Sequence, residues 1–199
     1  FRGALGVPLF MDTLFTVAMT FYGGLLCGAL TGLLTNPISN MIVFYGWPEL
    51  LYAFCNAASA LVTVLFIRLF PAELDFGAEP AGGVKTGEFE TGPVSSRFKA
   101  VMNTFVVLLL LSFVMCIVIS ILGGLTTALI KTFSPLFHGS PSPERLFKLA
   151  LLRKNLPLAA IEVLSRIPLN IIDRLLSVFG GYGAAALLWR IFPRKSAGH

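Results

Sequence analysis

Three long stretches of this 199-residue chain, 13–48, 50–67 and 100–130, contain no Asp, Glu, Lys or Arg. A bilayer core about 30 Å thick is crossed by roughly 20 apolar residues of helix, so these stretches hold about four spans. A fifth span follows in the uncharged stretch 175–189, and this span can extend back over 167–172 if the charges of Asp173 and Arg174 are shielded from lipid. Because the chain is 56% hydrophobic and only 13% charged, it lacks the residues for a soluble surface. The sequence therefore predicts an all-α, polytopic transmembrane helix bundle, a single domain covering 1–199.

Glycine and proline mark the limits of the predicted spans. The first covers about 7–22 and the second about 24–42, with a tight corner at Gly23 and Gly24, because glycine tolerates the backbone angles that such a corner needs. A third span is predicted at about 49–70.

Two further segments differ sharply in composition. The segment 71–96 is rich in glycine, proline and acidic residues, and we expect an exposed loop there. The uncharged run 100–130 is longer than one span requires, so its helix is expected to tilt, or to bend near Gly123 and Gly124.

The C-terminal part of the chain is basic. An amphipathic segment at 144–165 either crosses the bilayer or lies on it, and this choice decides on which side of the membrane the 71–96 loop lies. Pro168 is expected to separate this segment from the last span, 167–192. The net charge of +5 arises at helix ends, which is a topology signal and does not indicate a nucleic-acid partner. Basic residues after the last span predict a cytoplasmic C-terminus in a cell membrane. These are Arg190, Arg194 and Lys195.

Four polar residues form a stripe on the predicted last helices. On an ideal helix they would lie within about 80° of one another, although Pro168 would bend the helix: Glu162, Arg166, Asn170 and Asp173. Ionisable groups inside a span are costly, so we expect the stripe to face the protein interior. Two interpretations stay open: an internal ion-pair network that holds helices together, or contact with a substrate.

A second polar group lies near the N-terminus. Asp12 begins the first span, and Asn36 and Asn40 flank Pro37. Irregular backbone at membrane depth is tolerated where it faces protein or a cavity, so these residues either cap helices at the interface or contribute to a substrate site opposite the stripe.

Gly24, Gly28 and Gly32 recur every four residues. Such a ladder lets another helix approach closely. The approaching helix belongs either to this chain or to a partner subunit.

The sequence offers little for catalysis. It contains no HExxH, no nucleotide-binding loop and no Ser, His and Asp set, so we expect no enzyme, no cofactor and no metal site. The three cysteines lie in apolar spans without CxxC spacing, and they are interpreted as small packed residues.

Two segments resemble the substrate-binding S components of energy-coupling factor transporters, in an uncharacterised branch. They are GVPLFMDTLFTVAMTFYGGLLCGALTGLLTNPIS at 6–39 and SRIPLNIIDRLLSVFGGYG at 165–183, which includes the pair Asp173 and Arg174. The resemblance implies six helices, so the expected number is about five to six, and a vitamin-like ligand bound near the outer face. It also implies a transmembrane coupling subunit and two cytoplasmic ATPases as partners. The 71–96 loop is longer than the resemblance implies, and the first helix of the family pattern is expected before Phe1, where this sequence leaves it open.

Three functions are therefore compared. The first is a membrane-embedded binding subunit for ATP-driven uptake of a small metabolite, whose identity the sequence does not give. The others are a membrane sensor module and a structural or assembly subunit of a larger membrane complex.

Overall fold

The computed structural model describes residues 12–43, 47–74, 93–133, 148, 151 and 156–192. All regular elements among them are helical. In chain order they are α1 (Asp12–Val43), a 3₁₀ helix (Trp47–Tyr52), α2 (Ala53–Leu69), α3 (Pro71–Leu74), α4 (Pro93–Phe133) and α5 (Leu158–Ile191).

Four stretches of these helices are long and apolar enough to cross a membrane, namely Thr13–Ser39, Leu50–Leu69, Phe98–Phe133 and Leu158–Ile191. By length and composition the chain is therefore a multi-pass membrane protein. The predicted number was about five to six, whereas the described residues contain four such helices, the first of which is divided into two arms.

Helix α1 is divided into two arms at Gly24, whose φ of 78° and ψ of −170° are not helical. Residues eight apart on a straight helix are about 12 Å apart. A Cβ placed on Gly28 would nevertheless lie 3.0 Å from the Cα of Thr20. The chain therefore turns back at Gly24, and the arms 12–23 and 25–43 pack against each other. This confirms the corner predicted at Gly23 and Gly24.

Side-chain and ring contacts give the direction of each helix in the bundle. Helix α4 runs antiparallel to α2, α5 runs antiparallel to α4, and the first arm of α1 runs parallel to α5. Tyr52, just before α2, contacts Thr127 of α4, and Glu73, just after α2, contacts Thr104 of α4. The contacts between α4 and α5 are Phe105–Phe179 and Lys131–Glu162, and those between α1 and α5 are Thr13–Arg174 and Tyr22–Trp189. Successive passes thus alternate in direction.

The outward surface of the bundle is apolar. Large aliphatic and aromatic side chains of every long helix are exposed, among them Leu26, Met41, Leu61, Phe105, Ile117 and Leu187. A water-soluble protein would bury such side chains, whereas lipid tails solvate them. The interior contains apolar side chains such as Val17, Met115 and Val178 together with many hydroxyl groups.

Pro168 does not separate two helices, contrary to the sequence-based prediction. It lies inside α5, which continues from Leu158 to Ile191, and its ring faces outward. The proline removes one backbone hydrogen bond. Contacts with α4 on both sides of it, at Glu162 and Asn170, hold the helix in line. The segment 144–165 is thus in part the first turns of the last helix, and only 148, 151 and 156–165 of it are described.

Both ends of the predicted 71–96 loop are helical. Pro71 begins α3 and Pro93 begins α4, positions where proline lacks only an N–H that would have no helical partner. Residues 75–92 lie outside the described part of the chain. Helix α4 has 41 residues, about 60 Å of helix, and continues through Gly123 and Gly124, which pack against α5.

A candidate polar site between α4 and α5

The structure places the polar stripe of α5 mainly against α4. Glu162, Asn170 and Asp173 are buried, and Arg166 is half-buried. The four side chains do not pair with one another. Each is bound by groups from neighbouring positions or other helices, so the stripe connects α5 to several parts of the bundle and is not a closed ion-pair network.

Glu162 lies at the end of the bundle where α4 ends and α5 begins. Its carboxylate is 1% exposed and accepts from two lysines, with Lys131 Nζ 2.5 Å from Oε1 and Lys148 Nζ 2.8 Å from Oε2. The lysine side chains are 37% and 20% exposed. Their aliphatic stems lie against the bundle while their ammonium groups extend toward a polar phase, as is usual at the ends of membrane helices.

Arg166 lies one turn after Glu162 and is bound by hydroxyl groups. Its Nη2 donates to Tyr52 Oη at 3.0 Å and to Thr127 Oγ1 at 2.6 Å, and its Cζ lies 5.2 Å from the centroid of the Tyr52 ring. Its Nε is enclosed and has no hydrogen-bond acceptor among the described residues. Within the described ranges no carboxylate lies within 4.0 Å of its guanidinium group.

Two glycines of α4 make room for this arrangement. A Cβ on Gly123 would lie 3.0 Å from Nη1 of Arg166, and a Cβ on Gly124 would lie 2.5 to 2.8 Å from Val163 side-chain and backbone atoms. The absence of side chains at these positions lets α4 and α5 approach closely and gives the guanidinium group its place.

The middle of α5 is polar as well. Asn170 Nδ2 donates to Ser120 Oγ on α4 at 2.8 Å. Asp173 accepts from the adjacent Arg174 at 2.6 Å, and Arg174 also donates to Thr13 at the start of α1. The buried charges at this depth are thus opposite in sign and adjacent, which is the usual arrangement for ionisable groups inside a span.

The second polar group is only partly described. Asn36 Oδ1 accepts from Asn56 Nδ2 of α2 at 3.4 Å, at the far limit of a hydrogen bond, so it faces α2. The side chains of Asp12 and Asn40 lie outside the described residues. The neighbour of Asp12, Thr13, contacts Arg174 of α5, so the start of α1 lies beside the C-terminal end of the stripe.

The three glycines of the ladder have different environments. Gly24 is the corner of α1 and a Cβ there would meet nothing within 4 Å. Gly28 packs against Thr20 of the first arm, and Gly32 packs against the backbone of Asn56. Both contacts are within this chain.

Sequence reasoning missed two hydroxyl-rich faces and the α4 partners of the stripe. The faces follow a spacing of three and then four residues, which is the helical repeat. They are Thr13, Thr16 and Thr20 on α1, and Asn56, Ser59 and Thr63 on α2. Several of these hydroxyls donate to the carbonyl four residues earlier, as Thr20 does to Thr16 at 2.6 Å. The missed α4 partners are Ser120, Thr127 and Lys131.

The described residues contain no group of three or more His, Cys, Asp or Glu side chains that could hold a metal ion. Comparison of the chain with protein-family models, with curated proteins and with solved structures finds no match.

Proposed function

We propose that the chain is a membrane-embedded binding subunit for uptake of a small, vitamin-like metabolite, acting with a transmembrane coupling subunit and cytoplasmic ATPases. The observation that supports this most directly is the polar interior of the bundle. Four helices contribute buried hydroxyl, amide or charged side chains, while the outward faces of the same helices are apolar. A polar ligand inside a membrane needs such groups, in small number and fixed in place by apolar neighbours.

A role in packing alone explains this interior less well. A buried polar atom without a hydrogen bond is costly, and the cost is avoided when a bound molecule supplies the partner. Three such atoms lie along the contact between α1 and α5: Thr16 Oγ1, Arg174 Nε and Ser177 Oγ have no hydrogen-bond partner among the described residues. Thr16 lies one turn after Thr13 on α1, and Ser177 lies one turn after Arg174, the residue that contacts Thr13.

The test is native mass spectrometry of the detergent-purified protein, combined with identification of the proteins that co-purify from its native membrane. A non-covalently bound small molecule together with ATPase subunits is the expected result. A co-purifying kinase would favour the sensor module, and a complex without ATPases or bound small molecule would favour the structural subunit. Either of these results contradicts the proposal.

A further inference from the structure

Three cationic side chains and one buried carboxylate lie close together where α4 ends and α5 begins. The cations are Lys131, Lys148 and Arg166, and the carboxylate is that of Glu162. Glu162 already accepts from both lysines. Its carboxylate is therefore occupied and does not neutralise the arginine one turn away.

Arg166 differs in this respect from the other arginine of the same helix. Arg174 donates at 2.6 Å to the carboxylate of Asp173, whereas Arg166 donates only to neutral hydroxyl oxygens. Hydroxyl groups position a guanidinium group but leave its charge uncompensated. A cation within a span normally has a counter-charge, so the arrangement lacks one anion.

We infer that Arg166 binds an anionic group, a carboxylate or a phosphate, of the small molecule that the protein takes up, and this inference rests on the proposed function. Nη2 is held by Tyr52 and Thr127, whereas Nη1 and Nε donate to nothing among the described residues. A guanidinium group fixed in this way presents directed donors to a carboxylate or phosphate, which it binds more strongly than a neutral group.

The position of Arg166 favours a small molecule over a lipid headgroup as the source of the anion. Two other elements flank the guanidinium group: the 3₁₀ helix with Tyr52, and α4 with Gly123 and Thr127. A site between helices suits a ligand that is bound inside the protein. An anionic headgroup at the outer surface would contact lysines before it reached this depth.

Three variants test the inference. Arg166→Gln removes the charge. Gly123→Ala keeps the charge but places a methyl group where its Cβ would be 3.0 Å from Nη1, and the flexible arginine can shift without unfolding the helix pair. Gly183→Ala is the matched control, because its Cβ would meet nothing within 4 Å.

The probes are inorganic phosphate and acetate, added to delipidated protein at constant ionic strength, and the readout is the melting temperature as a function of anion concentration. We expect at least one anion to stabilise the wild type and the Gly183→Ala variant. Its apparent affinity should fall roughly 10- to 100-fold in Arg166→Gln and by a smaller factor in Gly123→Ala. If neither anion stabilises the wild type, or if Arg166→Gln responds as the wild type does, the inference is wrong.

Native mass spectrometry of the same proteins separates this inference from the proposed function. A bound anionic metabolite that is lost in Arg166→Gln supports both. A neutral or cationic metabolite overturns the anion site and leaves the proposed function standing. An anionic phospholipid that is lost in Arg166→Gln assigns the anion to a headgroup and overturns the inference as stated. Phosphate binding at Arg166 without any bound metabolite supports the anion site and contradicts the proposed function.

Discussion

The contact at Gly32 gives the most direct test of how the bundle is packed. A Cβ on Gly32 would lie 2.8 Å from the carbonyl carbon of Asn56 and 3.0 Å from the nitrogen of Ala57. These are backbone atoms of α2, so they cannot rotate away as a side chain could. Gly32→Ala must therefore push the second arm of α1 away from α2, and we expect it to destabilise the protein.

The magnitude follows from two opposing effects. Overpacking by one methyl group costs about 1–3 kcal/mol, and the upper half applies because the neighbours are backbone. Alanine is favoured over glycine in a helix by about 1 kcal/mol, which offsets part of this cost. The net loss is then about 1–2 kcal/mol. Gly183→Ala has the same gain in helix propensity and no clash, so the two variants should differ by about 2–3 kcal/mol.

The assay is unfolding by titration with a denaturing detergent, with helix content measured by circular dichroism and the free energy of unfolding compared among wild type, Gly32→Ala and Gly183→Ala. Gly183→Ala should be the most stable of the three proteins and Gly32→Ala the least stable, with the wild type between them. Equal stability of the two variants would show that α1 and α2 are not packed backbone to backbone at Gly32, and the argument from the close approach would fail.

Three other experiments test separate parts of the structure. Glu162→Gln should lower the free energy of unfolding, measured by detergent titration, by about 1–3 kcal/mol, which is less than the roughly 3–5 kcal/mol of a fully buried pair because both lysines are partly exposed. Glu73→Gln is the control and should cost little, because Glu73 has no ion pair among the described residues. Equal effects of the two variants would contradict this prediction. Asn170→Ala should lower stability by about 1–3 kcal/mol, since it leaves a buried hydroxyl on α4 without its donor, and an unchanged melting temperature would argue against that bond. In a cysteine-free background, single cysteines introduced at Phe133 and at Phe192 should react with a membrane-impermeant maleimide from opposite sides of the membrane, with position 192 on the cytoplasmic side. Labelling of both positions from the same side would contradict the antiparallel order of α4 and α5.

The sequence predicted the membrane-spanning helices because their signal is local. An uncharged run of sufficient length has few alternatives to a transmembrane helix, and all four apolar stretches of the structure lie within or overlap the runs in the sequence. The corner at Gly24 was predictable for the same reason, because a pair of glycines between two apolar runs permits a backbone angle that other residues avoid.

The partners of the polar stripe were not predictable, because they depend on which helices become neighbours. Lys131 is 31 residues before Glu162 in the chain, and Tyr52 is 114 residues before Arg166. The continuity of α5 through Pro168 has the same origin. Local rules predict a break at a proline, but contacts with α4 on either side of it outweigh the loss of a single hydrogen bond.

The two arginines of α5 show what decides the function of a charge inside this bundle. They are eight residues apart, about 12 Å along the helix, and they have the same intrinsic chemistry. Arg174 lies at the middle of α5, where the cost of an unpaired charge is highest, and the adjacent Asp173 neutralises it. Arg166 lies closer to the end of the helix, and its nearest carboxylate on that helix is bound by two lysines. Among the described residues, the guanidinium group at the middle of α5 is thus paired with a carboxylate, whereas the one closer to this end is not, and this difference is what the proposed anion site at Arg166 requires.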